Sequence, residues 1–283
     1  MTLAKVVIVH YGETRQTVNL INTMMSWDIE ITVIANDLKK RPSNLNQKVV
    51  WFEPERNLGY AGAINTQINS RSDIPLVVMN PDVLIKLDSF FQCLETLKNK
   101  EIGIVGPQIF DELNKPQRCV GQVSKILKLI KCNKVTKVIG DYECDWIVGA
   151  IMFISPKVYN TQKFDESFFL GFEDVDYCIN MKKHTGLKVV VSTNNSAIHI
   201  GSTSIGKIRW FYFLSRNAIW FSHKQGGFVS SWLNTLYQLI RLLRITMMDT
   251  FKYKSYYRTR LFALGIIHSF SKKNQSFLPR YRG

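Results

Sequence analysis

Short β-branched runs separated by helical periodicity dominate the first hundred residues, and this alternation constrains the fold more than any other feature. Strand-like runs stand at residues 5–11, 30–35, 48–52, 75–79 and 103–106. Between them, residues 14–25, 62–70 and 88–98 repeat their apolar positions at helical spacing. Runs such as Val6-Val7-Ile8-Val9 are apolar on both faces, as strands covered by helices on either side must be. The pattern predicts an α/β chain built on an open, mostly parallel sheet flanked by helices. From residue 107 it loosens: 117–145 is mixed, a strand is expected over 146–155, a helix over 173–183 and a short strand over 189–191. No internal repeat and no linker is evident.

Composition narrows the class. The chain has 283 residues, of which 46% are hydrophobic, enough for a substantial core and too many for a disordered chain. No apolar run reaches the ~18 residues of a spanning helix, and residues 1–5 lead into a strand without a signal-peptide pattern, so a cytoplasmic protein is expected. The five cysteines (Cys93, Cys119, Cys132, Cys144 and Cys178) are scattered, odd in number and form no C-x-x-C. They read as reduced thiols rather than disulfides or a zinc site. The net charge of +15 is unevenly placed. Residues 207–283 hold 14 Lys/Arg against one acid, Asp249, whereas residues 1–206 hold 23 against 21. The expected organisation is a near-neutral α/β domain over 1–206 and a basic, aromatic, helical extension over 207–283.

In open parallel sheets ligands bind beyond the carboxyl ends of the strands, and polar residues stand there. His10-Tyr11 follows the first run and Asn36-Asp37 the second. Arg56-Asn57-Leu58-Gly59-Tyr60-Ala61-Gly62-Ala63-Ile64-Asn65 follows the third, a small-residue turn that lets backbone approach a ligand closely. It has neither the G-x-G-x-x-G nor the P-loop spacing. Asn80-Pro81-Asp82 ends the fourth run and sets a carboxylate at the sheet rim, where oxygen ligands suit Mg²⁺ or Mn²⁺. Glu173-Asp174-Val175-Asp176 places three acids after an aromatic run. Such acids favour a helix N-terminus, and one desolvated by Phe neighbours can act as a general base. His199 lies between strand-like residues and the loop Gly201-Ser202-Thr203-Ser204, where it can ligate a metal or face an anion. Each feature alone also has a structural explanation: an Asx-Pro turn, a tight strand-to-helix connection, a helix cap, a core histidine.

Their order is more specific than any one of them. N-x-G-x-x-G-x-x-N, then N-P-D, W-x-x-G-A, F-F-x-x-x-E-D-x-D, H-x-G-S and Arg216-Asn217 together resemble the family 2 inverting glycosyltransferases. The resemblance is to the bacterial rhamnosyltransferase-like branch of O-antigen, capsule and exopolysaccharide synthesis, over residues 6–226. It implies a GT-A fold and a divalent metal, Mg²⁺ or Mn²⁺. Tyr11, Asn36, Asn57, Gly59, Gly62, Asn65 and Asn80 would form the nucleotide side of the site. Asp82 and His199 would hold the metal. Trp146, Gly149, Ala150 and Glu173 would face the sugar and acceptor, with Asp174 the catalytic base. Two positions depart from the family: Ala35 stands where an Asp is usual, and Asn80 replaces the first acid of D-x-D.

The resemblance further implies transfer of a sugar, best matched to L-rhamnose from dTDP-rhamnose, onto a lipid-linked saccharide. The donor alternatives are UDP-galactofuranose, UDP-glucose and UDP-N-acetylglucosamine. A nucleotidyltransferase and a non-catalytic carbohydrate- or lipid-binding protein are the rivals from other classes. The first lacks its glycine-rich loop after the first strand, and the second would not need the acids. Trp232, Tyr237, Arg241, Arg244 and the cations Lys252, Lys254, Arg258 and Arg260 make the extension a candidate for an anionic membrane surface. The expected location is therefore peripheral, on the inner face of the bacterial cell membrane. Core helices with a solvated basic face are the alternative. No RNP-like motif accompanies the basic and aromatic residues, so nucleic acid is not expected. Oligomers are compatible with the sequence.

Overall fold

The computed structural model of the chain describes residues 2–68, 72–135, 140–201 and 209–271. It divides into two compact units: residues 1–123, 130–168 and 173–204 form one, and residues 124–129, 169–172 and 205–283 the other.

In the first unit, β1 (Ala4–His10), α1 (Thr14–Met24), β2 (Ile29–Ala35), β3 (Val50–Phe52), α2 (Gly59–Asn65) and β4 (Leu76–Met79) follow one another as the alternation predicts. Then come β5 (Val83–Ile85), α3 (Leu87–Leu97), β6 (Ile102–Phe110), β7 (Arg118–Val123), β8 (Ile130–Lys134), β9 (Asp141–Cys144), β10 (Trp146–Ile147), β11 (Ile151–Ile154), α4 (Pro156–Tyr159), α5 (Glu173–Thr185) and β12 (Lys188–His199). The main sheet has the order β3-β2-β1-β4-β11-β6-β12-β5, with β9 also on β12. Its β3-β2-β1-β4 half is wholly parallel, with β11 inserted antiparallel beside β4. Val6, Ile8, Val33, Val77, Val78, Ile104 and Phe153 are fully buried, as two-sided burial of these runs demands. The amphipathic faces of α1 (Leu20, Ile21, Met24) and α3 (Phe90, Cys93, Leu94) are buried as well.

Several expectations change in detail. The single strand expected over 146–155 is two strands in different sheets, because the chain breaks at residues 148–150. The helix expected over 62–70 begins at Gly59 and ends at Asn65, and residues 69–71 lie outside the described ones. The short strand at 189–191 is part of the twelve-residue β12, which continues through polar Ser192 to Ser196 across a register shift. The mixed stretch 117–145 holds β7, β8 and β9; β7 and β8 join β10 in a small antiparallel sheet. Its residues alternate only weakly in burial, so periodicity does not announce them.

The second unit is helical. Its α6 (Trp210–Met248) is broken at Gly227, whose φ of 73° is left-handed and costs a glycine little. A π-helical turn over Asp249–Tyr253 leads into α7 (Tyr257–Ser269), which packs along α6. Leu261 packs with Tyr212 and Phe213, and Phe262 and Ile266 with Ile219. The crossing is close: a Cβ on Gly265 would stand 2.4 Å from the Tyr212 carbonyl oxygen. Ser215 Oγ donates to the Phe262 carbonyl at 2.8 Å. Arg216 is fully buried with its guanidinium 4.0 Å over the Trp220 ring, and Asn217 Nδ2 donates to the carbonyls of Leu170 and Gly171. One surface expectation is corrected here. Arg258 is not a freely presented cation, because it binds the fully buried Asp249. Among the described residues no helix is long and apolar enough to cross a membrane.

Candidate active site

The parallel register aligns the carboxyl ends of β1, β2 and β4, pairing His10 with Ala35 and Ile8 with Met79. Beyond those ends the chain turns polar. Asp37 Oδ2 accepts from the Gly12 N–H at 3.0 Å, its other oxygen lies 3.5 Å from His10 Nε2, and Lys39 stands 3.3 Å away. His10 is buried, bonded through Nδ1 to Thr17 Oγ1 at 2.7 Å. Burial holds its pKa below the usual histidine value, against the opposing pull of Asp37. Tyr11 follows, half-buried at the rim.

The Asn57 to Asn65 turn is braced rather than free. Asn36 donates from Nδ2 to the Gly59 carbonyl at 3.0 Å and accepts from the Leu58 N–H at 2.8 Å. Asn57 Oδ1 accepts from the Gly59 N–H at 2.9 Å, and Gly59 adopts φ 71°. Asn65 uses both ends of its amide on the Phe164 backbone and adds a bond to Glu166. Asn36 and Asn65 therefore hold backbone in place instead of presenting free amides. Gly62 packs its bare Cα toward Leu58, whose Cβ would stand 3.1 Å from an added Cβ.

Residues far apart in the chain meet at the strand break after β10. The Asn80 N–H donates to the Ala150 carbonyl at 2.9 Å, joining N-P-D to W-x-x-G-A. Gly149 is the hub. Its N–H donates to Asp174 Oδ2 at 2.8 Å, and its carbonyl accepts from the Tyr60 hydroxyl at 2.5 Å. A Cβ on Gly149 would lie 3.3 Å from Asp174 Cβ, a tight approach, and 3.5 Å from the Tyr60 ring, an ordinary contact. Burial, then the carboxylates of Glu173, Asp174 and Asp82, hold the Tyr60 phenol well above its usual range. Those three acids thus converge on one tyrosine, which sequence reasoning passed over although it lies inside the N-L-G-Y-A-G turn.

Asp174 opens α5 in the same acidic first turn as Glu173 and Asp176. It is half-buried, and desolvation raises its pKa, while the N–H groups of Gly149 and Val175 pull the other way. The net is a carboxyl whose pKa lies above its ordinary value. Glu173 is buried at 5% exposure. Trp146 is equally buried, its indole across Gly121, where an added Cβ would stand 2.1 Å from Nε1. That indole N–H finds no hydrogen-bond partner among the described residues.

Asp82 and His199 also come together. The antiparallel pairing of β5 with the end of β12 sets His199 opposite Val83, and the Ile200 N–H donates to the Asp82 carbonyl at 3.0 Å. His199 Nε2 lies 3.4 Å from Asp82 Oδ2, and Gln117 Nε2 holds the His199 carbonyl at 2.7 Å. One carboxylate and one imidazole are a hard oxygen and a borderline nitrogen donor, a pair that fits Mn²⁺ or Mg²⁺. Among the described residues no cluster of three or more His, Cys, Asp or Glu could hold a metal. An ion on this pair would complete its shell with water and phosphate oxygens. The loop residues Ser202, Thr203 and Ser204 lie outside the described ones. All five cysteines are free thiols, and burial, with Asp174 nearby, pushes Cys132 up to about 11, which leaves no thiolate nucleophile at that position.

Neither a protein-family model nor a curated protein sequence matches the chain. Solved structures do. GalNAc-T7 with UDP, GalNAc and Mn²⁺ superposes with a TM-score of 0.56 at 14% identity, covering 77% of this chain and 51% of its own. The mannosyltransferase PcManGT from Pyrobaculum calidifontis, in complex with GDP-Man and Mn²⁺, has a TM-score of 0.56 at 11% identity, covering 96% of this chain and 88% of its own. The fold is GT-A. The chain spans about half the length of GalNAc-T7 and most of PcManGT. Within this GT-A fold, Asn80 to Asp82, Gly149, Ala150, Tyr60, Asp174 and His199 lie beyond the strand ends, where open α/β sheets bind ligands.

Proposed function

We propose that the chain is a metal-dependent inverting glycosyltransferase of family 2. It moves a sugar, in the first instance L-rhamnose from dTDP-rhamnose, to a lipid-linked saccharide at the inner face of a bacterial membrane, in O-antigen or capsule synthesis. The observation that carries the reading is the linkage of Asp174, Gly149 and Tyr60 beside the Asp82–His199 pair. Both structural neighbours were crystallised with Mn²⁺, one with UDP and one with GDP-Man. In this reading residues 1–206 bind donor and acceptor, and 207–283 associate with the membrane.

Roles follow from geometry. Asp82 and His199 are the residues to hold a divalent ion, which when bound offsets charge building on the departing nucleoside diphosphate. Asp174, its pKa raised above the usual aspartate value by burial, takes the proton from the acceptor hydroxyl as that oxygen attacks the anomeric carbon from the face opposite the leaving group. One displacement inverts the centre. Gly149 orients Asp174 through its N–H, and Glu173 adjoins the base on the acceptor side. Trp146 and Ala150 shape the sugar subsite. Tyr11, Asn57, Gly59, Gly62 and Asn80 line the nucleotide side, with Asn36 and Asn65 bracing the turn. Asp37, one residue beyond Asn36, supplies the carboxylate that Ala35 lacks.

The rival nucleotidyltransferase is disfavoured by a specific bond: the Gly12 N–H, the group such a phosphate loop would offer, is given to Asp37. A thermal-shift panel tests the reading, since a ligand that binds only the native state raises its stability. dTDP-rhamnose with Mn²⁺ should raise the melting temperature more than either alone, and more than UDP-galactofuranose, UDP-glucose or UDP-N-acetylglucosamine. A larger shift with a UDP-sugar moves the donor assignment. No shift with any nucleotide would sink the enzyme reading.

A further inference from the structure

We infer that the second half of α6 is an inside-out amphipathic helix that lies in the surface of an anionic membrane, its apolar face sunk among the lipid chains. The helix carries its polar row inward. Ser230, Asn234 and Gln238, four residues apart, are buried at 6%, 1% and 1% exposure. Ser230 Oγ donates to the Ile126 carbonyl at 2.6 Å, and Gln238 Nε2 to Asn234 Oδ1 at 2.7 Å, while Asn234 Nδ2 binds Ser222. The opposite face is apolar and, among the described residues, uncovered. Val229, Trp232, Leu236, Ile240, Leu243 and Met247 recur at 3.6-residue spacing with exposures of 41–66%. At 1.5 Å per residue they form a stripe about 27 Å long. Exposed apolar faces of this size mark an interaction surface, and here the polar groups that water would serve are turned away from it.

Charge selects the occupant. Asp249 is the only acid of the second unit, and it is buried and bound to Arg258 and Thr259. Every charge this unit exposes is therefore positive, including Lys125, Arg244, Lys252, Lys254 and Arg260. Ile126, Phe228 and Phe251 of the same unit are exposed as well, at 70%, 76% and 79%. A second copy packed on the stripe would bring exposed cations such as Arg244 against one another with no acid in α6 to answer them. Anionic lipid supplies both requirements, negative headgroups for the rim and hydrocarbon for the stripe. The inference takes up the membrane partner of the proposed function but stands on the helix alone. Vesicle binding needs no sugar donor, so its failure and the failure of glycosyl transfer are separate results.

The test uses the full chain with vesicles of phosphatidylcholine, alone or mixed with phosphatidylglycerol. Binding should require phosphatidylglycerol and weaken as salt shortens the Debye length from ~10 Å to ~3 Å, with a remainder that salt does not remove. Ile240→Glu and Leu243→Glu alter only exposed side chains, so the melting temperature should hold while vesicle affinity falls about tenfold or more for each. Brominated lipid should quench Trp232, and Trp232→Phe should lose that quenching while still binding. Equal binding to neutral vesicles, or unchanged binding of the glutamate variants, would overturn the inference. So would a concentration-dependent dimer that Ile240→Glu dissolves, which would give the face to a second copy.

Discussion

At the scale of single residues, the proposed chemistry turns on Gly149 and what it touches. Asp174→Asn keeps the shape of the side chain and loses the proposed base. Turnover should fall by about 10²–10⁴ with donor affinity retained, and wild-type kcat in the variant would shift the role to Glu173 or Asp176. Because burial raises the Asp174 pKa and the proposed base works deprotonated, activity should fall with acidity along a limb set above that of an unperturbed aspartate. Tyr60→Phe removes the phenol from the Gly149 carbonyl. Without that anchor the backbone that aims the Gly149 N–H at Asp174 is held less firmly, so the acidic limb should move to higher pH and kcat fall about tenfold, the size of one hydrogen bond. A change in melting temperature without movement of that limb would make Tyr60 merely structural. Asp82→Ala should abolish the Mn²⁺ dependence of nucleotide binding, read by calorimetry with and without the metal. The acids were legible as acids in the sequence. Tyr60 was not, because nothing near it in the chain marks a partner 89 residues away.

At the scale of elements, the strands over 5–11, 30–35 and 75–79 were legible because two-sided burial leaves a continuous apolar run. The strands β7, β8 and β9 were not, since half-exposed strands mix polar and apolar residues. The α6–α7 pair rests on two devices that can be tested. Gly265→Ala would drive a Cβ against the Tyr212 carbonyl, backbone that cannot step aside, and should cost about 1–3 kcal/mol in chemical denaturation. At Asp249, burial favours the neutral acid, but the bonds from Arg258 and Thr259 outweigh it and leave the pKa below its usual value. A depressed carboxyl stabilises the fold above its unfolded pKa of about 3.9, and that contribution is lost as pH falls through the lower folded value. The helical unit should therefore lose stability as pH falls through that range. Asp249→Asn should lower stability at neutral pH and flatten this acid dependence in thermal melts. This is also why Arg258, unlike Lys252 or Lys254, is no probe of surface charge.

At the scale of the whole molecule, catalysis and membrane docking are read from different units, and each can fail alone. Glutamate at Ile240 or Leu243 should leave turnover on a soluble acceptor analogue unchanged while vesicle binding falls. Loss of both would mean the stripe serves the reaction itself. The amino-acid sequence by itself determined the α/β alternation, the polar residues at the strand ends, the acidic start of α5 and the placing of nearly all net charge in residues 207–283. These are local properties: burial imprints its period on neighbouring residues, and charge can be counted. Tertiary structure alone decided that residues 146–155 break into two sheets and that Asp82 meets His199. It alone decided that Asn36 and Asn65 brace backbone. It also decided which face of α6 is inward, because a helical period shows that two faces differ but not which of them finds partners. Ser230, Asn234 and Gln238 could turn inward only where a carbonyl or amide waited to satisfy them, and such partners come from chain topology.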